Sequence, residues 1–183
     1  GKNLIFLISG RLLEFRDPLH SVKLFSQLIP LLPNMNLRLI VSGLGPLYQD
    51  IKDLVAELKI EDKVTYENDF KDWYDIRKIY YHSHVLLCMY PYNGWSLTIQ
   101  ESMAAGQFVV ATNSIDGADQ LIINGFNGLL VHKPSNIDTL NEILNVITNK
   151  EHFEKCRSNA RESVKSIDLD IISSRLVNFL FNN

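Results

Sequence analysis

The sequence predicts an α/β fold, a doubly wound parallel sheet of about six strands with helices on both faces. Short apolar runs with strand character alternate along the chain with longer segments in which apolar residues recur every three or four positions. Parallel strands are joined by helical crossovers, so strands and helices alternate along the chain. The helices cover both faces of the sheet, and the buried strands are therefore continuously apolar. No linker, repeat or low-complexity tract interrupts the 183 residues, which predicts a single domain over residues 1–183.

Composition narrows the classes of function. Hydrophobic residues make up 46% of the chain and charged residues 21%, which favours a compact core over disorder. The net charge of -3 gives no basic field for nucleic acid, and no stretch approaches the roughly 20 apolar residues of a membrane span. The two cysteines stand far apart and form no Cys-x-x-Cys pair. We therefore expect a cytoplasmic protein that binds no nucleic acid and has no transmembrane segment, and peripheral attachment to the inner face of a membrane stays open.

The predicted strands are short apolar runs bounded by polar or turn-forming residues. They lie at Asn3–Ser9, Leu37–Ser42, Lys63–Tyr66, Val85–Met89, Phe108–Thr112 and Gly128–Val131.

Helical spacing and capping residues predict the helices between these strands. Asp17 is a candidate N-cap with Pro18 at the first helical position, and Pro46 suits the first turn of the second helix. Further helices are predicted over Asp72–His82 and Ser96–Ala105.

The end of the chain is predicted to be helical. Ser135 and Asp138 resemble a capping box at the start of a helix, and two more helices follow. The last runs from about Leu169 to Phe181 with one apolar face, which either covers the core or packs towards another domain. Asp168 and Asp170 open this helix, where acidic residues suit the dipole, so we predict no metal site there.

The loop after the first strand has a glycine at its turn, Gly10, and two arginines, Arg11 and Arg16. In open parallel sheets, ligands bind beyond the carboxyl ends of the strands, where this loop lies. A guanidinium group offers a fixed fork of donors that suits phosphate. The alternative is that both arginines are ordinary surface charges.

The loop after the second strand contains Gly43 and Gly45 and leads directly into a helix. The free backbone amides of a helix N-terminus can face an anion. A dinucleotide-binding fingerprint needs a third glycine where this chain has Tyr48, which argues against a nicotinamide-dependent oxidoreductase. A tight turn without a ligand remains the alternative here.

The stretch from Tyr92 to Gly106 contains the most candidate binding features. Gly94 permits close approach to the backbone, and the helix after it opens with exposed amides and the positive end of its dipole. A diphosphate fits such a place. Glu101 lies in the first two turns of that helix, where its carboxylate can accept hydrogen bonds from sugar hydroxyls. The alternative is a solvent-exposed helix glutamate.

Taken in order, these segments resemble the C-terminal, donor-binding domain of family 4 glycosyltransferases, enzymes of the GT-B fold. The resemblance covers essentially the whole chain. It is carried by five segments: Ser9–Leu12, Ser42–Pro46, Gly94–Leu97 with Glu101–Gly106, Val109–Thr112 and Asn124–Val131.

The resemblance implies a role for each matching residue. Arg11 and Arg16, the latter in place of the family's usual lysine, would clamp the donor diphosphate, and Glu101 would bind the ribose hydroxyls; these three form the catalytic set. The implied donor-binding residues are Gly10, Gly43, Gly45, Asn68, Phe70, Asn93, Gly94, Trp95, Ser96, Leu97 and Thr98.

Three positions depart from the family's pattern. Asn93 stands where the first of two glutamates is usual, and an amide can bind a sugar hydroxyl but carries no charge. Asn68 stands where a glycine is usual, in a loop that would lie near the nucleobase. Gln120 replaces a usual glutamate.

The resemblance implies metal-independent, retaining transfer of a sugar, of the hexosyl type, from a UDP- or GDP-type donor to an alcohol in polysaccharide or glycolipid synthesis. The donor is a substrate, and we expect no cofactor and no metal. Gly1 is not an initiator Met and runs almost at once into a strand, from which we expect an excised domain. The resemblance then implies that an N-terminal acceptor-binding domain is missing and that the isolated domain binds without turnover. A degenerate domain that binds a nucleotide or a protein without catalysis is the alternative.

Overall fold

The computed structural model describes residues 2–70, 72–91, 94, 96–132 and 136–167. The strands in this part of the chain are β1 Lys2–Ser9, β2 Met35–Ser42, β3 Val64–Tyr66, β4 Val85–Cys88, β5 Phe108–Thr112 and β6 Gly128–Val131. They form one sheet in the order β3-β2-β1-β4-β5-β6, and all neighbours run parallel. The predicted doubly wound sheet is confirmed, and each predicted strand is present.

The strand ends differ from the predictions by at most two residues. β2 starts at Met35 rather than Leu37. Lys63 closes a short 3-10 turn, Glu61–Lys63, and therefore lies outside β3. Met89 follows β4 instead of belonging to it.

The helices pack on the two faces of the sheet. They are α1 Pro18–Leu28, α2 Tyr48–Glu57, α3 Trp73–His82, α4 Leu97–Ala104, α5 Ala118–Leu121, α6 Ile137–Ile147 and α7 Lys150–Val164. One apolar cluster joins α1, α2, α6 and the start of α7 to the sheet, and the second joins α3, α4, α5 and the end of α7 to the opposite face. Short 3-10 turns at Glu14–Arg16 and Lys165–Ile167 complete the described elements, and the sequence analysis did not predict these turns or α5.

Local capping chemistry explains where the helices begin. The carboxylate of Asp17 accepts a hydrogen bond from the His20 amide at 3.2 Å, with Pro18 at the first helical position, as predicted. The predicted cap of α6 is wrong, because the side chain of Asn136 accepts from the Asp138 amide instead. Ser135 lies outside the described residues.

Two other predictions concern the position of Pro46 and the last helix. Pro46 lies before α2, whose N-cap is Leu47, so this proline does not occupy the first turn. The predicted last helix, from about Leu169 to Phe181, and the acidic pair before it fall outside the described residues.

Candidate functional site

The strand order reverses beside β1, which lies between β2 and β4. In a doubly wound sheet, the crevice at such a switch point is where ligands bind, beyond the carboxyl ends of the strands. The loops that follow β1, β2, β3 and β4 all emerge at this edge, because the strands are parallel. The predicted site residues that the structure describes lie in these loops and in the first turns of α4.

Arg16 lies across the turn that follows β1. A Cβ built on Gly10, whose φ is 108°, would collide with Nη1 of Arg16 and would lie 3.9 Å from Oγ1 of Thr98. Arg16, from the loop after β1, and Thr98, from the first turn of α4, therefore both lie beside Gly10 at the switch point. Gly10 leaves the space that the guanidinium group fills.

The surroundings of Arg16 leave its charge available. Its guanidinium carbon lies 5.6 Å from the centroid of the buried Tyr90 ring. Its Nε is buried and donates no hydrogen bond within the described part of the chain, and no carboxylate described there pairs with it. Burial raises the pKa of the neighbouring Cys88 thiol to about 12 and also raises the pKa of Tyr90. Arg16 thus packs against neutral groups and can pair with an anion.

Arg11 faces a different part of the same edge. It lines a cleft of about 460 Å³ together with Gly43, Leu44, Gly45, Asn68 and Phe70. The cleft is formed by the loops after β1, β2 and β3, and its size falls within the range of small-molecule sites. Five of the predicted site residues therefore share one concave surface.

The glycines of the second loop allow two loops to touch. A Cβ on Gly43, at φ 145°, would collide with the carbonyl oxygen of Gly10, and a Cβ on Gly45 would collide with that of Leu12. The amides of this turn are already engaged, since Leu47 donates to Leu12 at 3.2 Å and Tyr48 to Gly45 at 3.1 Å. The start of α2 therefore shapes the cleft, and these two amides do not face an anion.

Asn68 acts through its side chain. Its Oδ1 accepts a hydrogen bond from the Gly43 amide at 2.6 Å and ties the loop after β3 to the loop after β2. The resemblance implied only that Asn68 lies in a loop near the nucleobase. Its role in holding the glycine turn was not predicted.

The N-terminus of α4 points into the switch point. Ser96 is the N-cap residue, but its side chain forms no cap hydrogen bond, and a first helical turn has amides without partners inside the helix. Ser96 and Thr98 are buried, Leu97 is exposed, and nothing lies within 4 Å of a Cβ built on Gly94. Asn93 and Trp95 lie outside the described residues.

Glu101 is held by a residue that the sequence analysis missed. The hydroxyl of Tyr80, on α3, donates to Oε2 of Glu101 at 3.0 Å and lies 3.0 Å from Oγ of Ser9 at the end of β1. Burial raises the pKa of Tyr80 far above its usual range. One signal was available, because a tyrosine on the apolar face of a helix needs a partner for its hydroxyl.

The described residues contain neither a candidate metal site nor a membrane-spanning helix. No three His, Cys, Asp or Glu side chains there lie close enough together to hold a metal ion. None of the described helices combines the length and the apolar character needed to cross a membrane.

Comparison with known families agrees with this geometry. The profile of the family described as glycosyl transferases group 1 matches residues 1–163. The chain belongs to this family. An uncharacterized glycosyltransferase of Haemophilus influenzae is 28% identical over 149 residues, which are 81% of this chain but 40% of that relative. The group 1 domain described here therefore spans less than half the length of that protein.

Solved structures share the group 1 fold. HepE of Anabaena, in complex with UDP, superposes with a TM-score of 0.83 at 18% identity over 100% of this chain and 50% of HepE. The C-terminal domain of the group 1 protein LpcC from Francisella tularensis gives a TM-score of 0.76 at 18% identity, covering 90% of this chain and 85% of that domain. The described chain thus has the Rossmann-like fold of GT-B glycosyltransferases.

Proposed function

We propose that this domain binds a nucleoside diphosphate sugar, with UDP as the first nucleotide to test, and is the donor-binding half of a family 4 glycosyltransferase. One observation carries the proposal. At the switch point, the guanidinium group of Arg16 and Oγ1 of Thr98, in the first turn of α4, both lie beside Gly10. The Nε of Arg16 is buried and has no hydrogen-bond partner among the described residues. A cation and a helix N-terminus that converge on one place suit a diphosphate.

The remaining parts of the donor have complementary surfaces nearby. The cleft of Arg11, Asn68 and Phe70 has room for the nucleoside, and Phe70 supplies an aromatic face for a base. Glu101 supplies carboxylate oxygens for the ribose hydroxyls. HepE carries UDP on the same fold, which supports UDP as the first nucleotide to test.

The proposed chemistry is transfer of the sugar to an alcohol with retention of configuration. As the bond between the sugar and the diphosphate breaks, negative charge grows on the diphosphate. The fixed charge of Arg16 and the dipole of α4 stabilise this charge, so the proposed step needs no divalent metal. Arg11 contributes a second positive charge from the rim of the cleft.

We assign the acceptor to a second domain of the whole enzyme. Two facts support this assignment: this chain spans 40% of the Haemophilus influenzae relative and 50% of HepE. In the proposal, the described loops hold the nucleotide and its diphosphate. In this proposal, the isolated domain binds the donor and does not turn it over.

The proposal is tested by titration calorimetry of this domain with UDP, GDP, ADP and NAD in the presence of EDTA. We expect one nucleoside diphosphate to bind. Arg16→Ala should weaken its affinity roughly tenfold to a hundredfold, since a charge-assisted hydrogen bond contributes about 1.5–3 kcal/mol. Lys150→Ala, which removes an exposed positive charge at the start of α7, is the matched control and should leave the affinity unchanged.

Three outcomes would count against the proposal. Binding of NAD alone would favour an oxidoreductase, and loss of binding in EDTA would refute metal independence. If no nucleotide binds at millimolar concentration, the degenerate domain without catalysis becomes the better hypothesis.

A further inference from the structure

The hydroxyl of Tyr80 joins three elements at one point. It donates to Oε2 of Glu101 on α4 and pairs with Oγ of Ser9 at the end of β1, each at 3.0 Å. Tyr80 itself is on α3. This contact spans 21 residues to Glu101 and 71 to Ser9, so it fixes the relative placement of elements that are distant in sequence.

Tyr80 is itself firmly held. Its side chain is 6% exposed, and its carbonyl oxygen accepts a hydrogen bond from Nε2 of the fully buried Gln107 at 2.6 Å. The next residue, Tyr81, is 62% exposed. Tyr80 is thus held at its backbone carbonyl and at its hydroxyl. The buried hydroxyl is therefore a rigid donor for the exposed carboxylate of Glu101.

Without a fixed donor, the carboxylate of Glu101 has a second possible partner nearby. The carboxylate is exposed on the rim of a small groove between α3 and α4, and Arg77 lines the same groove. Without the Tyr80 hydroxyl, the flexible glutamate side chain is free to turn towards Arg77 or solvent. With it, Oε2 is occupied and Oε1, which accepts no hydrogen bond from the described residues, is presented to a ligand.

We propose that Tyr80 is a positioning residue, which holds Glu101 so that its free oxygen meets the ribose hydroxyls of the bound nucleotide. This inference rests on the proposed nucleotide-sugar binding and names the group that orients the ribose contact. The phenol donates through neutral pH, since burial keeps it protonated. Because the single hydrogen of the phenol goes to Glu101, the Tyr80 oxygen accepts a hydrogen bond from the Ser9 hydroxyl, which fixes the direction of the phenol O–H.

The test is a double-mutant cycle read by calorimetry with two ligands, UDP and an analogue that lacks the ribose 2′- and 3′-hydroxyls. Tyr80→Phe keeps the ring and removes the hydroxyl. We expect it to weaken UDP binding about fivefold to twentyfold and to leave binding of the analogue unchanged within about twofold. Glu101→Ala should show the same pattern, and adding Tyr80→Phe to it should change nothing further.

Tyr81→Phe is the control, because it removes an exposed hydroxyl on the same helix. The inference is overturned if Tyr80→Phe weakens both ligands equally, if the two substitutions multiply in the double variant, or if Tyr80→Phe has no effect while the wild-type domain binds UDP. Failure of the wild-type domain to bind any nucleoside diphosphate would instead overturn the proposed function, and this inference with it.

Discussion

Two glycines with positive φ show why residue type matters differently at different turns. Gly43 has a φ of 145°, which side chains rarely adopt, and its missing Cβ leaves room for the carbonyl oxygen of Gly10. Gly125 has a φ of 70°, and nothing lies within 4 Å of a Cβ built there. The first glycine is required by backbone shape and by contact with another loop, and the second by backbone shape alone.

This difference predicts a graded loss of stability. Gly43→Ala should lower the free energy of unfolding by roughly 3 kcal/mol or more, because both the φ and the carbonyl contact oppose a methyl group. Gly125→Ala should cost only about 1 kcal/mol, the cost of a left-handed conformation. Urea denaturation of the two variants measures both values. Equal losses would show that the contact between Gly43 and Gly10 is unimportant.

The hydrogen bond between Asn68 and the Gly43 amide gives a second prediction for a single residue. Its Oδ1 accepts from the Gly43 amide at 2.6 Å, so Asn68→Ala should leave that amide without its partner. We expect a loss of about 1 kcal/mol and faster hydrogen exchange at the Gly43 amide. Asn68→Asp keeps an acceptor oxygen and should retain the protection. If the exchange rate in Asn68→Ala equals that of the wild type, the hydrogen bond does not form in solution.

At the scale of elements, α4 is fixed at the end that points away from the site. Arg157 on α7 donates through Nε to the carbonyl oxygen of Gly106 at 2.8 Å, and Arg161 donates through Nη2 to that of Ala105 at 3.1 Å. Cations suit the carbonyl-rich end of a helix dipole. The opposite end of α4, where the Ser96 side chain makes no cap hydrogen bond, lies at the switch point beside the proposed diphosphate.

Removal of these two arginines should loosen α4. The double variant Arg157→Ala, Arg161→Ala should lose about 2 kcal/mol of stability, roughly 1 kcal/mol for each partly exposed charged donor. Lys155→Ala removes an exposed positive charge from the same helix and serves as the control, with an expected change within about 0.5 kcal/mol. Thermal and urea unfolding measure both. A double variant as stable as the control would refute the capping role.

The elements themselves were largely readable from the sequence. Phe108–Thr112 and Gly128–Val131 match β5 and β6 residue for residue, because a strand buried on both faces is a continuous apolar run between turn signals. Asp17 and Pro18 marked the start of α1 by local chemistry. The cap of α6 was wrong, since Asn136 and Ser135 are neighbours with the same capping ability.

Contacts between residues that are distant in sequence could not be predicted from the sequence. Arg16 and Thr98 both lie beside Gly10, Asn68 contacts Gly43, and Tyr80 contacts Glu101. In each case a sheet crossover brings distant parts of the chain together. Periodicity reports which face of an element is buried, but it does not report which side chains meet at the edge of the sheet. Resemblance named most of the predicted residues, and only the structure revealed Tyr80.

At the scale of the whole molecule, the interior beneath the site holds acidic groups that are kept neutral. Burial raises the pKa of Cys88 from 9.0 to about 12, and it raises the pKa of Tyr80 and Tyr90 above the usual 10.0. Cys88 ends β4, Tyr90 follows shortly after it, and the hydroxyl of Tyr80 contacts Ser9 at the end of β1. Ionisation of any of them would place a charge in the apolar layer between the sheet and α4.

The raised pKa values predict unfolding in alkali. Below about pH 8, under the unfolded-state pKa of 9.0 for the thiol and 10.0 for the phenols, these groups are protonated in both the folded and the unfolded chain, so their contribution to stability is complete. As the pH rises, the unfolded chain releases protons that the folded chain retains, and the free energy of unfolding should fall by about 1 kcal/mol per pH unit for each titrating group. Urea midpoints measured from pH 7 to pH 11 give this slope.

Tyr90→Phe should make the slope shallower above pH 10 by about 1 kcal/mol per unit, while Tyr81→Phe, at an exposed tyrosine, should leave it unchanged. Identical slopes in the wild type and Tyr90→Phe would show that Tyr90 ionises as easily in the folded protein as in the unfolded chain.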